Sequence, residues 1–372
     1  MGKRLKVGVL FGGQSSEHAI SLLSAAAVIA AMDQSKYEIV PIGITEDGRW
    51  LAGGDPLETL REKNIPGNSF FASLITDPTN PGLILLEREG PEHKFLPLDA
   101  VFPVLHGPYG EDGTVQGLLE LAGIPYVGAG VLSSAVGMDK VVMKILFQHW
   151  GLPIGDFLYF KFREWNENKK ALIKEIEEKL GYPCFVKPAN LGSSVGISKA
   201  ADKRELIAAI EKALRYDYKI IIEAFIHGRE IECSVLGDAK PIASLPGEII
   251  PGAEFYDYHA KYIDDSSRLI IPAPLKPEVQ NTIKNYAIKA FLAVECSGMG
   301  RIDFFYQEQE DKVYVNEINT IPGFTKISMY PKLWKASGIS YSELIDRLIE
   351  IALEKHRLKK KLLTRYSPAG EI

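Results

Sequence analysis

Asp303, Glu317 and Asn319 lie within residues 300–319, where their types and spacing could support metal chemistry. The apolar pattern of this segment predicts two largely buried β-strands joined by an acidic turn. Because side chains alternate along a strand, Arg301 points the same way as Asp303, and Glu317 the same way as Asn319. A buried carboxylate is costly unless it is paired or holds a cation. Two carboxylates and an amide oxygen are hard ligands that suit Mg²⁺ shared with substrate phosphates.

A structural interpretation of the same residues remains open at this point. Arg301 alone could neutralise both acids, because structural ion pairs also place carboxylates in apolar surroundings. Residues 320–323 are predicted to form a turn, which leaves Glu317 and Asn319 at the rim of the strand. Ligands at a strand end beside a loop are well placed for chemistry.

A lysine before a small-residue loop is a candidate phosphate ligand. Lys187 ends a predicted strand, and residues 188–196 contain glycines and serines but no charge, a composition suited to mobility. Backbone N–H groups of residues 192–196 could then cradle phosphates. Lys187 and Lys140 could equally be ordinary surface lysines. The chain has neither the Walker A motif nor a G-x-G-x-x-G fingerprint after its first strand.

A second nucleotide feature is a possible adenine-binding hinge at residues 224–226. It lies between Glu223, which closes an apolar strand, and Glu230, whose carboxylate could accept from ribose hydroxyls. The alternative is a strand–turn–strand with two surface acids.

The composition is that of a globular protein with two or three domains. The chain has 372 residues, of which 46% are hydrophobic and 24% charged, and no apolar run is long enough to span a bilayer. The net charge of −5 argues against a general nucleic-acid binder. The three cysteines are widely spaced, which predicts reduced core residues in a cytoplasmic protein.

The predicted elements alternate between strands and helices, which indicates a mixed α/β (α+β) fold. The opening βαβ unit predicts a parallel, Rossmann-like N-terminal domain, and residues 46–98 are predicted to be an insertion of loops and small strands. Glycine-rich segments place domain limits at 1–135, 136–227 and 228–372. The predicted strands are residues 5–11, 37–44, 100–105, 156–160, 184–187, 220–225, 230–236, 242–248, 300–306 and 312–319. The predicted helices are residues 17–31, 114–122, 138–150, 164–180, 203–216, 278–295 and a terminal helix from 340.

Six motifs in order along the chain resemble those of D-alanine–D-alanine ligases of the ATP-grasp superfamily. They extend from residue 12 to residue 328, which is nearly the whole chain. The motifs are Gly12-Gly13-x-Ser15-x-Glu17-His18, Leu105-His106-Gly107-x-x-Gly110-Glu111-Asp112-Gly113, Gly137-Met138-Asp139-Lys140, Lys187-Pro188-x-x-x-Gly192-Ser193-Ser194-x-Gly196, Tyr256-Asp257-Tyr258-x-x-Lys261-Tyr262, and Arg301-x-Asp303 continued by Glu317-x-Asn319-x-x-Pro322-Gly323-x-Thr325-x-x-Ser328.

The resemblance implies a three-domain ATP-grasp fold, with two ATP-grasp subdomains after the N-terminal domain, and a role for each matching residue. The implied catalytic residues are Glu17, Ser193, Tyr262, Arg301, Gly323 and Ser328, and the implied substrate-binding residues are His106, Ser328 and Met329. The implied ATP ligands are Lys140, Lys187, Ser194, Glu223, Ala224, Ile226, Glu230 and Lys261. Asp303, Glu317 and Asn319 would hold two Mg²⁺ or Mn²⁺ ions. One departure is Ala224, because the family usually has lysine there.

The implied activity is the ATP-dependent joining of two D-alanines through an acyl phosphate, for synthesis of a peptidoglycan precursor. The implied partners are ATP and D-alanine, without nucleic acid or membrane, in a cytoplasmic homodimer. Residues 188–196 and 251–274 would close as a lid. The alternatives are a D-alanine–D-lactate ligase, which alters the loop at Tyr262, and a nucleotide-binding protein without turnover. A dinucleotide oxidoreductase is disfavoured by the missing glycine fingerprint.

Overall fold

Three β-sheets with flanking helices make up the fold. A computed structural model of the chain describes residues 3–63, 70–87, 93–192, 194–250 and 268–363. Three predicted site residues, Ser193, Lys261 and Tyr262, lie outside the described residues, as does most of the predicted lid segment 251–274.

The first sheet has seven strands in the order β6-β5-β4-β3-β2-β1-β7. Strand β1 is parallel to both β2 and β7, as the predicted βαβ unit requires, and its last six residues are buried. The remaining strands form an antiparallel extension built from the segment predicted to hold loops and small strands. The strands are β1 (Leu5–Gly12), β2 (Tyr37–Ile44), β3 (Trp50–Ala52), β4 (Phe70–Leu74), β5 (Gly82–Glu87), β6 (His93–Pro97) and β7 (Ala100–Val104).

The helices associated with this sheet are α1 (His18–Ala31), α2 (Pro56–Glu62) and α3 (Thr114–Leu121), whereas α4 (Val131–Met138) packs against α3 and the third sheet. Helix α1 is joined to two strands through Ser21, whose hydroxyl accepts from Gly12 N and donates to the Val104 carbonyl oxygen. This side chain therefore fixes the start of α1, and Glu17 before it, at the edge of the sheet where β1 and β7 end.

The second sheet has four antiparallel strands in the order β10-β9-β11-β8. Its strands are β8 (Phe157–Lys161), β9 (Cys184–Pro188), β10 (Ser198–Ala200) and β11 (Lys219–Ala224). Helices α6 (Phe162–Lys179) and α7 (Lys203–Ala213) cover one face with apolar side chains. Before them comes α5 (Lys140–His149), which begins where Asp139 Oδ1 accepts from Val141 N and Val142 N.

The third sheet contains the predicted hairpin, which is confirmed. Its main path is β15-β14-β12-β16-β17, with β13 pairing to β12. Its strands are β12 (Arg229–Gly237), β13 (Ile242–Ala243), β14 (Gly247–Ile250), β15 (Arg268–Ile270), β16 (Gly298–Gln307) and β17 (Lys312–Asn319), covered by α8 (Pro277–Ala293).

The hairpin register places the four polar residues on one face. Arg301 lies opposite Asn319 and Asp303 opposite Glu317, after which a β-bulge shifts the pairing. A bulge inserts one residue into a strand and changes which face the following side chains occupy. The ends of the two strands that carry the acids can therefore face one environment. The apolar middle parts of the same strands can face another.

The last two helices are α9 (Met329–Ala336) and α10 (Tyr341–Lys359), with Ser340 capping α10. Their buried side chains, including Trp334 and Leu344, join one core cluster with residues of the first sheet. The C-terminal end of the chain thus packs against the N-terminal sheet. Each sheet falls within one of the predicted domains, and the domain limits themselves stay a prediction.

One predicted strand is wrong. Residues 242–248 form the two short strands β13 and β14 instead of one. Between them, Ser244 Oγ accepts from Ser234 N and donates to the Leu245 carbonyl oxygen, and Pro246 has no N–H to offer. Within the described ranges, no helix has the length and apolar character needed to cross a membrane.

Candidate active site

Sixteen predicted site residues lie in the described part of the chain, and all of them line one cavity of about 780 Å³ between the three sheets. Ligand sites are commonly clefts of roughly 300–1,000 Å³. The sixteen are Glu17, His106, Lys140, Lys187, Ser194, Glu223, Ala224, Ile226, Glu230, Arg301, Asp303, Glu317, Asn319, Gly323, Ser328 and Met329.

Charged side chains, of which Glu232 is buried and Arg301 and Asp303 are half-buried, surround the β12–β16–β17 end of the cavity. Arg301 donates to both oxygens of Asp303 at 2.8 Å each, and its Nε lies 2.9 Å from Glu232 Oε2. Asn319 Nδ2 donates to Asp303 Oδ2 at 3.0 Å. An ion pair of Arg301 with Asp303, one of the two acids in the structural interpretation, is therefore present, and it includes Glu232, which the sequence did not single out.

The same residues fit a divalent cation by the chemistry of their donors. In the described residues, no three His, Cys, Asp or Glu side chains come together as possible ligands. A cation here must therefore use the Asn319 amide oxygen and substrate phosphates beside Asp303 and Glu317. Arg301 and Asn319 use three acceptor positions of Asp303, so about one of the four positions that an ionised carboxylate offers stays available for a cation.

Glu223 holds the buried Lys144 and the half-buried Lys187 together at the second sheet. Its Oε1 lies 2.7 Å from Lys144 Nζ, and its Oε2 lies 2.5 Å from Lys187 Nζ. Burial opposes ionisation of Glu223, but the two ammonium groups hold its pKa far below the usual range. Burial likewise opposes the charge of Lys187, yet Glu223 and Glu317 raise its pKa. Both side chains are thus charged at neutral pH.

The predicted adenine hinge lies beside this lysine pair. Ala224 N donates to the Asp156 carbonyl oxygen at 2.9 Å, which fixes the end of β11. The rings of Phe185 and Phe225 lie 5.9 Å apart, and Phe185, Phe225 and Ile226 all line the cavity. The apolar walls and the carboxylate of Glu230 in the same cavity suit a base and a sugar.

The loop after Lys187 extends to Glu17 at the start of α1. Lys140 Nζ donates to the Leu191 carbonyl oxygen at 2.6 Å, and Asn190 donates twice to Asp217 Oδ2. A Cβ on Gly192 would lie 3.1 Å from Glu17 Oε2, and one on Gly107 would lie 2.8 Å from the same atom. Glu17 therefore lies between two glycines, one in the loop after a strand of the first sheet and one in the loop after a strand of the second. A larger side chain at either glycine would displace the Glu17 carboxylate.

His106 is buried and held by two protein groups. Burial lowers its pKa, so the ring is neutral at pH 7. Its Nδ1 lies 3.1 Å from the Ile321 carbonyl oxygen, which can only accept, so Nδ1 carries the proton. Nε2 then accepts from Ser24 Oγ at 3.2 Å, and Ser24 Oγ accepts from Phe324 N. His106 thus ties the first sheet to the turn after β17.

That turn leads to the start of α9. Ser328 Oγ accepts from Thr325 N at 3.0 Å, and a Cβ on Gly323 would lie 2.8 Å from it. The side chain of Met329 is buried beside Gly247, where its Cε would meet an added Cβ at 2.5 Å. Ser328 and Gly323 are therefore close neighbours on the cavity wall.

Glu111 was quoted in a motif but given no role, and the structure shows what it connects. Its Oε2 accepts from Gly107 N at 2.7 Å and its Oε1 from Ile321 N at 3.2 Å. Burial, reinforced by the Glu17 carboxylate, raises the pKa of Glu111 to about 8. One carboxyl group thus joins the His106–Gly107 loop to the turn that carries Gly323.

For the reaction that the resemblance implies, Glu111→Gln is expected to lower kcat/KM for D-alanine about tenfold to a hundredfold, with little change in KM for ATP. The amide can accept only one of the two backbone N–H groups, and an unsatisfied buried donor costs about 1–3 kcal/mol. Steady-state kinetics with each substrate varied in turn provide the measurement.

Asp112→Asn is the matched control for this change. Asp112 also accepts two backbone N–H groups, but that of Tyr109 belongs to its own loop and that of Thr114 to the start of the adjoining helix α3. If the two variants lose the same activity, loop order alone explains the effect and Glu111 does not act through Ile321.

Lys144 and Glu232 were missed because their importance depends on contacts between distant segments. For Lys144 a signal existed: it lies four residues after Lys140 on a predicted helix, and residues at that spacing share a helix face. Glu232 is opposite Asp303 in the β12–β16 pairing, which the sequence does not disclose.

The three sheets line one cavity that has lysines on one side and acids on the other. This arrangement places the protein in the ATP-grasp class. Comparisons with known proteins agree. Residues 6–129 match the family model described as D-ala D-ala ligase N-terminus, and residues 146–350 match D-ala D-ala ligase C-terminus. The chain belongs to the D-ala D-ala ligase family.

Individual relatives extend over nearly the whole chain. It is 53% identical to a D-alanine--D-alanine ligase of Caldicellulosiruptor bescii, with 99% of this chain and 100% of the relative covered. It is 49% identical to one of Natranaerobius thermophilus, with 98% and 99% covered. Among solved structures, the VanG D-Ala:D-Ser ligase of Enterococcus faecalis superposes with a TM-score of 0.84 at 39% identity, covering 94% of this chain and 100% of that one. The D-alanine-D-alanine ligase of Coxiella burnetii gives 0.83 at 39% identity, with 97% of each chain covered.

Proposed function

We propose that this protein joins two D-alanine molecules to D-alanyl-D-alanine, with cleavage of ATP to ADP and phosphate. The observation that carries the proposal is the shared cavity, which unites every predicted site residue that the structure describes. Membership of the D-ala D-ala ligase family supports the same reaction. The product would serve as a peptidoglycan precursor made in the cytoplasm.

The first step activates a carboxylate. Amines do not displace oxygen from a carboxylate at neutral pH, so that oxygen must first become part of a leaving group. Glu17 would hold the ammonium group of the first D-alanine, and Arg301 with the Gly323 N–H would orient its carboxylate. One carboxylate oxygen then attacks the γ-phosphorus of ATP, and the bond to the β-phosphate oxygen breaks. ADP is released, and the D-alanine becomes an acyl phosphate.

Lys140 and Lys187 would neutralise the ATP phosphates during this transfer, and Glu223, Ala224, Ile226 and Glu230 would hold the adenine and ribose. Ser194 would add a contact from the loop, as would Lys261, which lies outside the described residues. Two Mg²⁺ or Mn²⁺ ions bound by Asp303, Glu317 and Asn319 would supply positive charge at the phosphates.

The second step forms the peptide bond. The amine of the second D-alanine, positioned by Ser328 and the Met329 backbone, attacks the acyl carbon. Arg301 and the Gly323 N–H would stabilise the developing oxyanion, a contribution of about 10²–10³-fold for one such donor in other enzymes. Phosphate then leaves with the original carboxylate oxygen and takes up the proton that the attacking amine loses. Ser193 and Tyr262, outside the described residues, would form a hydrogen-bonded network with Glu17 over the first substrate, while the loop excludes water.

A four-part assay of phosphate release tests the proposal. The mixtures contain ATP with D-alanine, ATP with D-alanine and D-lactate, ATP with D-alanine and D-serine, and ATP alone. D-serine is included because a solved relative is named a D-Ala:D-Ser ligase. We expect rapid release with D-alanine alone, the dipeptide as product, and little release from ATP alone. Release that does not depend on any amino acid would contradict the proposal.

We also propose a homodimer and the domain limits 1–135, 136–227 and 228–372. Light scattering and limited proteolysis are the respective measurements. A monomer at micromolar concentration would exclude the first, and stable fragments cut elsewhere would exclude the second.

A further inference from the structure

Lys144 is a buried lysine of the cavity for which the reaction above has no use. It lies on α5 one turn after Lys140, is 3% exposed, and lines the same cavity. Its ammonium group and that of Lys187 approach different oxygens of Glu223, at 2.7 Å and 2.5 Å. One carboxylate is thus held between two lysines, only one of which is a proposed phosphate ligand.

Glu223 has one negative charge and is paired with two positive charges, those of Lys144 and Lys187. Removing one partner from a buried ion pair is strongly destabilising, because it leaves the other charge without compensation. If Lys187 were the sole partner of Glu223, its movement to a phosphate would leave that carboxylate buried and unbalanced. A second lysine on the same carboxylate removes this cost.

We propose that Lys144 is a positioning residue for ATP, which keeps Glu223 neutralised while Lys187 turns from that carboxylate to the phosphates. This inference rests on the proposed function, because it requires ATP in the cavity. Without nucleotide, Glu223 is ion-paired with both lysines. With ATP, Lys187 donates to a phosphate oxygen and Glu223 retains Lys144.

A neighbouring ion pair provides a matched control. Lys219 is also buried and is paired with Asp139, which caps the same helix α5. Neither Lys219 nor Asp139 lines the cavity. Lys219→Met therefore removes a buried lysine beside α5 without removing a cation from Glu223.

The experiment compares the binding of Mg-ATP and adenosine by calorimetry in the intact protein. Adenosine has no phosphate, so its binding does not require Lys187 to leave Glu223. Lys144→Met should weaken ATP about tenfold or more relative to adenosine. Lys144→Arg should restore the wild-type ratio of the two Kd values to within about threefold, since it keeps the charge, and Lys219→Met should leave that ratio unchanged.

A ratio in Lys144→Met equal to that of the wild type would overturn the inference, because a merely structural role weakens both ligands in parallel. If Lys144→Met does not fold, the test compares the single variant Glu223→Gln with the double variant Glu223→Gln/Lys144→Met. In both variants the carboxylate of Glu223 is absent, so no buried negative charge needs compensation. There, Kd for ATP should differ by less than about threefold, and a further tenfold loss would contradict the inference. Failure of the wild type to bind ATP would instead overturn the proposed function, and the inference with it.

Discussion

Glu317→Gln is expected to lower kcat about a thousandfold while the protein remains folded. Glu317 lies opposite Asp303 in the hairpin and lines the cavity beside Asn319. The change keeps the shape of the side chain but removes one of two carboxylate charges available to a divalent cation. Electrostatic stabilisation by such a cation amounts to several kcal/mol in phosphoryl transfer, and each ~1.4 kcal/mol is a factor of ten in rate. Steady-state kinetics over a Mg²⁺ titration, with Mn²⁺ binding followed by electron paramagnetic resonance, measure both effects.

Glu310→Gln is the control for this variant, because Glu310 belongs to the same hairpin but is exposed in the turn. It should retain full activity and metal binding. If Glu317→Gln keeps near-normal turnover at ordinary Mg²⁺, the assignment of the metal ligands is wrong, and the acids of the hairpin serve only the ion-pair cluster.

Arg301→Lys is expected to lower kcat about 10²–10³-fold, comparable to removal of an oxyanion donor elsewhere. The Arg301 fork donates to both oxygens of Asp303 and lies within 2.9 Å of Glu232. Lysine keeps the charge, so the two acids remain compensated, but its ammonium group cannot reproduce the planar fork. Rapid-quench measurement of phosphoryl transfer and dipeptide formation shows which step is slowed.

Arg229→Lys is the control for the loss of a fork in general. Arg229 donates to both oxygens of Glu248 at 2.8 Å, yet it does not line the cavity. It should change thermal stability and leave kcat within about twofold. Equal losses of kcat in both variants would show that Arg301 acts through the fold of the third sheet and not on the reacting carboxyl group.

The hairpin at the centre of the site could be predicted from local sequence. Alternation of side chains in two apolar strands places Arg301, Asp303, Glu317 and Asn319 by simple geometry, and the register of β16 with β17 agrees. The bulge between Asp303 and Phe304 could not be predicted, because bulges respond to packing on both faces of a sheet.

The networks that join the sheets were beyond local reasoning. Glu111 reaches Ile321 across 210 positions, and His106 reaches the same residue across 215. Such contacts depend on how three sheets are arranged, which no periodicity within one segment encodes. The prediction of one strand over residues 242–248 was wrong for a related reason, because the Ser244 hydroxyl accepts a hydrogen bond from Ser234 N on the neighbouring strand β12.

We expect ATP to activate the carboxylate of one D-alanine for attack by the amine of another. The most direct test supplies D-alanine with ¹⁸O in both carboxylate oxygens and follows the label by mass spectrometry. If the reaction passes through an acyl phosphate, each phosphate released carries one ¹⁸O and the new peptide carbonyl carries one, because the attacking oxygen leaves with the phosphate. Release of unlabelled phosphate, with both oxygens retained on D-alanine, would contradict it.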